Sequence, residues 1–418
     1  MEKITFSYRK TFLLGFGFFS ISLLWSIYNS YIPIFLKEFS LSSLLVGFIM
    51  TFDNILAIVL QPYIGFLSDQ TRTRFGRRMP FIMVGAPNAA VFFLLIPFAK
   101  SLNIGWMITT ILIMNLAMAI FRAPVIALMP DTVPSQSRSK ANGVVNFMGG
   151  LGALLAFLVG SKLYEINKSL PFIIGGVALV VSCLLVFVFV KEPIAETDDS
   201  SEKPSKKTAK IGFIEAFKEL WTALKELFLS KEKSELWLLL AIFLWFCGFN
   251  AIETFFTSYG KYHLGIEESK ASFALGLFSL TFMLFSIPAG FIGTKYGRKK
   301  TILAGIVILL IMNGIIGLLT DFSLIQATLI FGGFGWACIN INSLPMVVDM
   351  VEQEKVGGRT GLYYFFSMLA AVAAPPFVGL LIDHFDYQSM IFFSMGGFVL
   401  AFAAMLFVKK GEARTVTA

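Results

Sequence analysis

The chain of 418 residues is 56% hydrophobic and only 14% charged, where soluble domains carry about a quarter of their residues as charges, so a water-soluble globular protein is excluded. The net charge of +8 comes from basic residues gathered in short loops between apolar runs, a topological pattern rather than a nucleic-acid surface. Cys183, Cys247 and Cys338 all lie inside apolar runs and the chain has two histidines, which spells out neither a disulfide framework nor a metal site.

A helix needs about 20 mostly apolar residues to cross the hydrocarbon core, and twelve segments qualify. The first six cover 12–36, 43–67, 79–99, 104–129, 142–164 and 170–190. The opening run is too long for a signal-peptide core and has no small-residue cleavage site. In lipid the backbone must satisfy its own hydrogen bonds, and these runs are too long for barrel strands, so all are read as helices.

A polar segment, 191–234, follows. Its first part, KEPIAETDDSSEKPSKKTAK, has the composition of a flexible linker. Its second part repeats Ile214, Phe217, Leu220, Trp221, Leu224 and Phe228 at helical spacing with Glu and Lys between them, which predicts an amphipathic helix on the inner membrane surface or under the bundle. The remaining spans cover 235–259, 271–294, 299–319, 323–348, 360–383 and 388–408. The expected fold is all-α integral membrane: a six-helix half over 1–190, a cytoplasmic linker over 191–234 and a second six-helix half over 235–418.

With the N-terminus inside, the outer loops hold only Lys37, Lys100, Lys162, Lys168, Lys261 and Lys270. Arg122 lies in a helix, and all the other Lys and Arg residues fall on the inner side. That asymmetry places both termini in the cytoplasm of a multi-pass inner-membrane protein. It needs no nucleic-acid partner.

The halves echo one another. GFLSDQTRTRFGRR (65–78) follows the second span and GFIGTKYGRKK (290–300) the eighth; PDTVPSQSRSKANG (130–143) follows the fourth and VDMVEQEKVGGRTG (348–361) the tenth. A duplicated six-helix unit is the build of transporters that bind substrate near the midplane between pseudo-symmetric halves. Asp69 adds nothing to topology, so its pairing with Arg77 or Arg78 is read as a cytoplasmic gate, with Asp131 and Arg138 from the next inner loop. The second copy has Thr294 in place of the acid, so asymmetric gating is expected.

QPYIGFLSDQTRTRFGRRMPFI, residues 61–82, resembles the corresponding segment of the sucrose–proton symporter family. That family lies within the glycoside–pentoside–hexuronide cation symporters of the major facilitator superfamily. The run from Arg122 through Ala123 and Pro124 to ALMPD, and RSKANGVVNFMGGLG (138–152), add to the likeness. The resemblance implies the major facilitator fold with twelve helices in two pseudo-symmetric halves. It further implies a monomer that carries sucrose, maltose or a related glucoside with protons and uses no cofactor beyond the co-transported proton. Aligning Ala123-Pro124 with the Gly-Pro pair of plant relatives puts Asn115 where they have Asp and Ile126 where they have Arg. The proton-carrying acid of those relatives therefore does not transfer.

Ionisable groups inside spans are costly and default to function; three lie deep, Asp53, Arg122 and Glu253. Asp53 or Glu253 is the expected proton carrier, because a carboxylate withdrawn from water can exchange a proton near neutral pH. The alternatives are a polar contact of Asp53 with Asn54 and a solvated Glu253 at the outer mouth. Arg122 offers a donor fork to sugar hydroxyls or a partner to one of the acids. Sugars also need amides for hydroxyls and aromatic faces for the ring. Trp25, Tyr28 and Asn29 of the first span, with Gln61, Asn115, Asn146, Asn250 and Asn340, supply such a set, and Trp245 and Trp336 add rings. Two deep acids on different helices favour protons over sodium. Proton-coupled export of a drug or metabolite on the same fold is the second reading. No nucleophile constellation or metal-ligand spacing suggests an enzyme.

Overall fold

The computed structural model describes residues 7–133, 138–190, 192, 218, 221–350 and 356–412. The elements are α1 (Tyr8–Lys37), α2 (Ser43–Met50), α3 (Phe52–Gln70), α4 (Met79–Leu102), α5 (Ile104–Thr132), α6 (Arg138–Ile166) and α7 (Leu170–Phe189). After a short helix α8 (221–229) come α9 (Ser234–Tyr262), α10 (Glu268–Tyr296), α11 (Arg298–Leu318), α12 (Phe322–Val348), α13 (Val356–His384) and α14 (Ser389–Leu406). Among the described residues twelve spans are long and apolar enough to cross a membrane, with α2 and α3 counted together as Ser43–Gln70. All twelve expected spans are present, several a turn longer than the apolar run that announces them.

The second span is broken where the sequence shows one continuous run. α2 ends at Thr51, whose Oγ1 donates to the Phe48 carbonyl at 2.7 Å, and α3 restarts at Phe52 beside Asp53. Several helices also carry internal proline, such as Pro33, Pro124 and Pro288. Membrane helices tolerate proline because neighbouring groups re-satisfy the freed backbone.

Contacts divide the chain into two compact units, one of Met1–Tyr28 with Phe52–Glu215, the other of Asn29–Thr51 with Ala216–Ala418. α1 thus contributes to both, changing over at the Tyr28–Asn29 peptide. In the first unit α4 runs along α5 and α7, and α3 along α5. In the second, α10 and α11 run along α12, α9 runs along α13 and α14, and α2 lies on α13.

The α2–α13 contact is backbone against backbone. A Cβ on Gly47 would overlap the Pro375 carbonyl, and one on Gly379 would overlap that of Ser43. Small residues are what allow membrane helices to approach so closely. Asp383, near the end of α13, caps α2: Oδ1 accepts from the Ser43 N–H at 2.6 Å and Oδ2 from the Leu44 N–H at 2.8 Å. Ser42 Oγ accepts from Leu45 N–H at 3.2 Å, so the unpaired first-turn donors of the helix are met. Next to this end, burial raises the Tyr387 hydroxyl above its ordinary pKa, with Tyr262 and Asp383 adding to the effect.

Of the expected amphipathic helix, Ile214, Phe217 and Leu220 lie outside the described residues. α8 buries Ala223 and Leu227 and leaves Trp221 and Phe228 exposed. Leu224 of the stripe is half-buried, and Glu226 of the same helix pairs with Arg359 of α13 at 3.5 Å, so α8 is held against the end of the second unit. Ile287, Phe291 and Phe331 are exposed on the spans themselves.

Candidate transport site

In the first unit α1, α3 and α5 bring together Trp25, Tyr28, Asp53 and Asn115. Trp25 and Tyr28 share a face of α1 at i,i+3, and their rings meet edge to face at 5.3 Å. Tyr28 is fully buried beside Asn115, and the Asp53 carboxylate acts on its hydroxyl electrostatically. The Tyr28 hydroxyl lies against the Asn115 side chain, and Trp25 Nε1 has no hydrogen-bond partner among the described residues. Buried polar groups are nearly always satisfied, so this cluster offers a donor to a polar ligand. Asp53 Oδ1 also accepts from Asn54 Nδ2 at 3.0 Å, the local contact expected of a structural acid.

In the second unit α9 carries the other acid. Glu253 is half-buried, and its Oε1 accepts from Asn29 Nδ2 of α1 at 3.3 Å. The neighbouring Ser30 meets Ser272 of α10 at 3.3 Å. One turn before Glu253, Phe249 stacks flat on Trp336 of α12, with centroids 4.0 Å apart and planes at 4°. Phe246 meets Trp336 edge-on at 5.4 Å, and Tyr363, bonded to Ser343 Oγ at 3.1 Å, borders the group. An aromatic platform beside a carboxylate is thus built on one stripe of α9.

Other expected ligands are placed differently. Asn146 Nδ2 donates to the Asn142 carbonyl at 2.9 Å and Asn250 Nδ2 to that of Phe246 at 2.7 Å, each within its own helix. Arg122 is half-buried two turns from Asn115 on the same face of α5. Gln61 and Asn340 are half-buried.

The expected gate residues form a charge cluster at one end of the first unit. Arg78 binds Asp69 and Ser68, donates to Asp131 Oδ2 at 2.9 Å and to the Gly65 carbonyl at 3.1 Å. Arg77 Nη2 donates to Asp131 Oδ1 at 2.6 Å. The Arg138 side chain lies outside the described residues. Sequence reasoning missed Glu192: it is buried, accepts from the Arg78 N–H at 2.9 Å and lies 3.5 Å from Arg77 Nε.

The second unit repeats this arrangement. Arg298 binds Asp349 and the Pro345 carbonyl, and its N–H donates to Glu412 at 2.6 Å. Arg78–Glu192 and Arg298–Glu412 are both separated by 114 residues, and each Glu packs under a glycine of positive φ, Gly76 or Gly297. Among the described residues no acid pairs at Thr294, which donates to the Gly290 carbonyl at 3.0 Å. Yet the second basic loop is paired all the same, through Asp349 and Glu412, so the expected asymmetry is confined to the Asp69 position. The signal was a Val-Lys step closing each half, Val190-Lys191-Glu192 and Val408-Lys409 before Glu412.

The Major Facilitator Superfamily profile matches residues 14–267 and 261–417. Among curated relatives, human monocarboxylate transporter 7 is 28% identical over 35% of this chain and 29% of its own. The isoprimeverose transporter of Lactiplantibacillus pentosus is 22% identical over 73% of this chain and 63% of its own, and the class B tetracycline resistance protein of Escherichia coli 23% identical over 66% and 64%. The chain thus spans less than two thirds of each of these relatives. A solved structure of the nucleoside transporter NupG superposes with a TM-score of 0.74 at 16% identity, covering 96% of this chain and all of that one. The chain is a multi-pass membrane protein and belongs to the Major Facilitator Superfamily of transporters.

Proposed function

We propose that this transporter imports a disaccharide or glucoside by proton symport through alternating access. The observation that carries the reading is the Glu253 carboxylate, bonded to Asn29 one turn from the stacked Phe249–Trp336 pair. A sugar ring offers an apolar face for stacking and hydroxyls for amides and carboxylates, and the Phe249–Trp336 pair, Asn29 and Glu253 supply both kinds of group within the second unit. The likeness to an isoprimeverose transporter supports a glycoside.

Glu253 is the proposed proton carrier. As a carboxylate it accepts from the Asn29 amide; once protonated, its O–H becomes a donor, and Asn29 Oδ1 can accept in turn. α1 therefore senses the charge on α9 through one side chain. The basic clusters at Arg78 and Arg298 each brace the inner ends of the spans in their own unit. The protein works as a monomer in the inner membrane, with both termini cytoplasmic.

Uptake of radiolabelled sucrose, maltose and isoprimeverose into proteoliposomes, with and without an inward proton gradient, tests the reading. Gradient-driven accumulation of one of them supports it. The likeness to a tetracycline resistance protein favours a second reading, proton-driven export. Gradient-driven efflux of an unrelated compound, with none of the sugars accumulated, would replace the first by the second.

A further inference from the structure

The first unit has an open groove where the start of α1 meets the end of α7. It is lined by Arg9, Phe12, Leu13 and Phe16 of α1 and by Phe189 of α7. The α1 residues follow i, i+3, i+4, i+7 and so form one stripe, cationic at its end and apolar along its length. Phe12 is 41% and Phe189 49% exposed, so the walls are open to whatever surrounds the protein rather than covered by another helix.

The polar end of the groove is at the basic end of the unit. Phe189 is three residues before Glu192, whose carboxylate holds the Arg78 N–H at the head of α4. Arg74 lies over Phe75, which packs on Phe187 of α7. Arg9 is exposed, and among the described residues no acid pairs with it. The groove therefore joins an exposed guanidinium, unpaired among the described residues, to an aromatic trough along α1 and α7. Basic pockets between spanning helices on the inner side suit anionic lipid headgroups, and a guanidinium fork matches a phosphate.

We propose that this groove binds one anionic phospholipid of the inner leaflet, its phosphate on Arg9 and an acyl chain along Phe12, Phe16 and Phe189. The site is independent of the transported substrate. It ties the end of α1 to α7 through a lipid, and phosphatidylglycerol is the occupant that combines the required charge and chain.

Native mass spectrometry of the purified protein, titrated with equal dioleoyl phosphatidylglycerol and dioleoyl phosphatidylcholine, tests this. The wild type should retain phosphatidylglycerol in preference by roughly fivefold, the worth of one Arg at an anionic headgroup. Arg9→Gln should abolish the preference, whereas Lys10→Gln, the adjacent exposed cation outside the groove, should keep it. Leu13→Trp should be quenched more by brominated phosphatidylglycerol than by the brominated choline lipid, with the difference lost when Arg9→Gln is added. Equal retention of the two lipids by the wild type, an undiminished preference in Arg9→Gln, or quenching of Leu13→Trp indifferent to headgroup would each overturn the proposal.

Discussion

At Tyr28 the chain changes from one packing unit to the other, and the side chains on either side of that peptide look to different chemistry. Tyr28 lies with Asn115 and Asp53, Asn29 with Glu253. If the Tyr28 hydroxyl serves the sugar, Tyr28→Phe should raise the KM for uptake roughly tenfold with Vmax little changed, the loss of about one neutral hydrogen bond; an unaltered KM would remove Tyr28 from the site. Trp336→Ala takes away the partner of Phe249 and should weaken sugar binding without affecting proton leak, which equilibrium binding to the purified protein measures. Asn146 and Asn250 are each bonded within their own helices, so Asn146→Ala and Asn250→Ala should leave KM within about twofold. The residue types that the proposed glycoside site draws on were legible in the sequence. Which asparagines are turned inward along their own helix was not, because an Asn at helical spacing satisfies either role equally.

Among the elements, α2 packs backbone to backbone on α13 and has its first turn capped by a distant side chain, Asp383. Removing the Asp383 carboxylate leaves two N–H groups of its first turn without their acceptor, and loss of such a cap costs about 1 kcal/mol. Asp383→Ala should therefore lower thermal stability in detergent and hasten hydrogen exchange over 43–50, while Asp383→Asn, which keeps one acceptor, should do so less. Equal protection of α2 in wild type and Asp383→Ala would show that the cap is dispensable. Gly47→Val should be far more disruptive, since its side chain meets the Pro375 backbone and not a flexible neighbour. The spans themselves were readable from hydropathy, as lipid imposes one rule on every segment. The break at Thr51 was not, because neither glycine nor proline marks it and the run on both sides is apolar.

Across the whole molecule the duplication reaches further than the basic loops that reveal it. Glu192 and Glu412 each clamp the backbone at the start of a helix 114 residues earlier, but they differ in burial: Glu192 is buried and Glu412 exposed. Breaking a buried charge network costs on the order of 3 kcal/mol, an exposed one about 1 kcal/mol or less. Glu192→Ala should thus destabilise the protein clearly more than Glu412→Ala in a thermal-shift comparison; the reverse order would contradict equivalent roles scaled by burial. Glu192 escaped notice in the sequence because it opens a stretch rich in other acids. Its partner Glu412 sits past the last span, where no pattern singles it out. The central claim, that Glu253 couples a proton to glycoside entry, is tested most directly by uptake into proteoliposomes of wild type and Glu253→Gln. With an inward proton gradient the wild type should accumulate the sugar above equilibrium, whereas Glu253→Gln should only equilibrate it while retaining sugar exchange in the absence of a gradient. Undiminished gradient-driven accumulation by Glu253→Gln would contradict the claim.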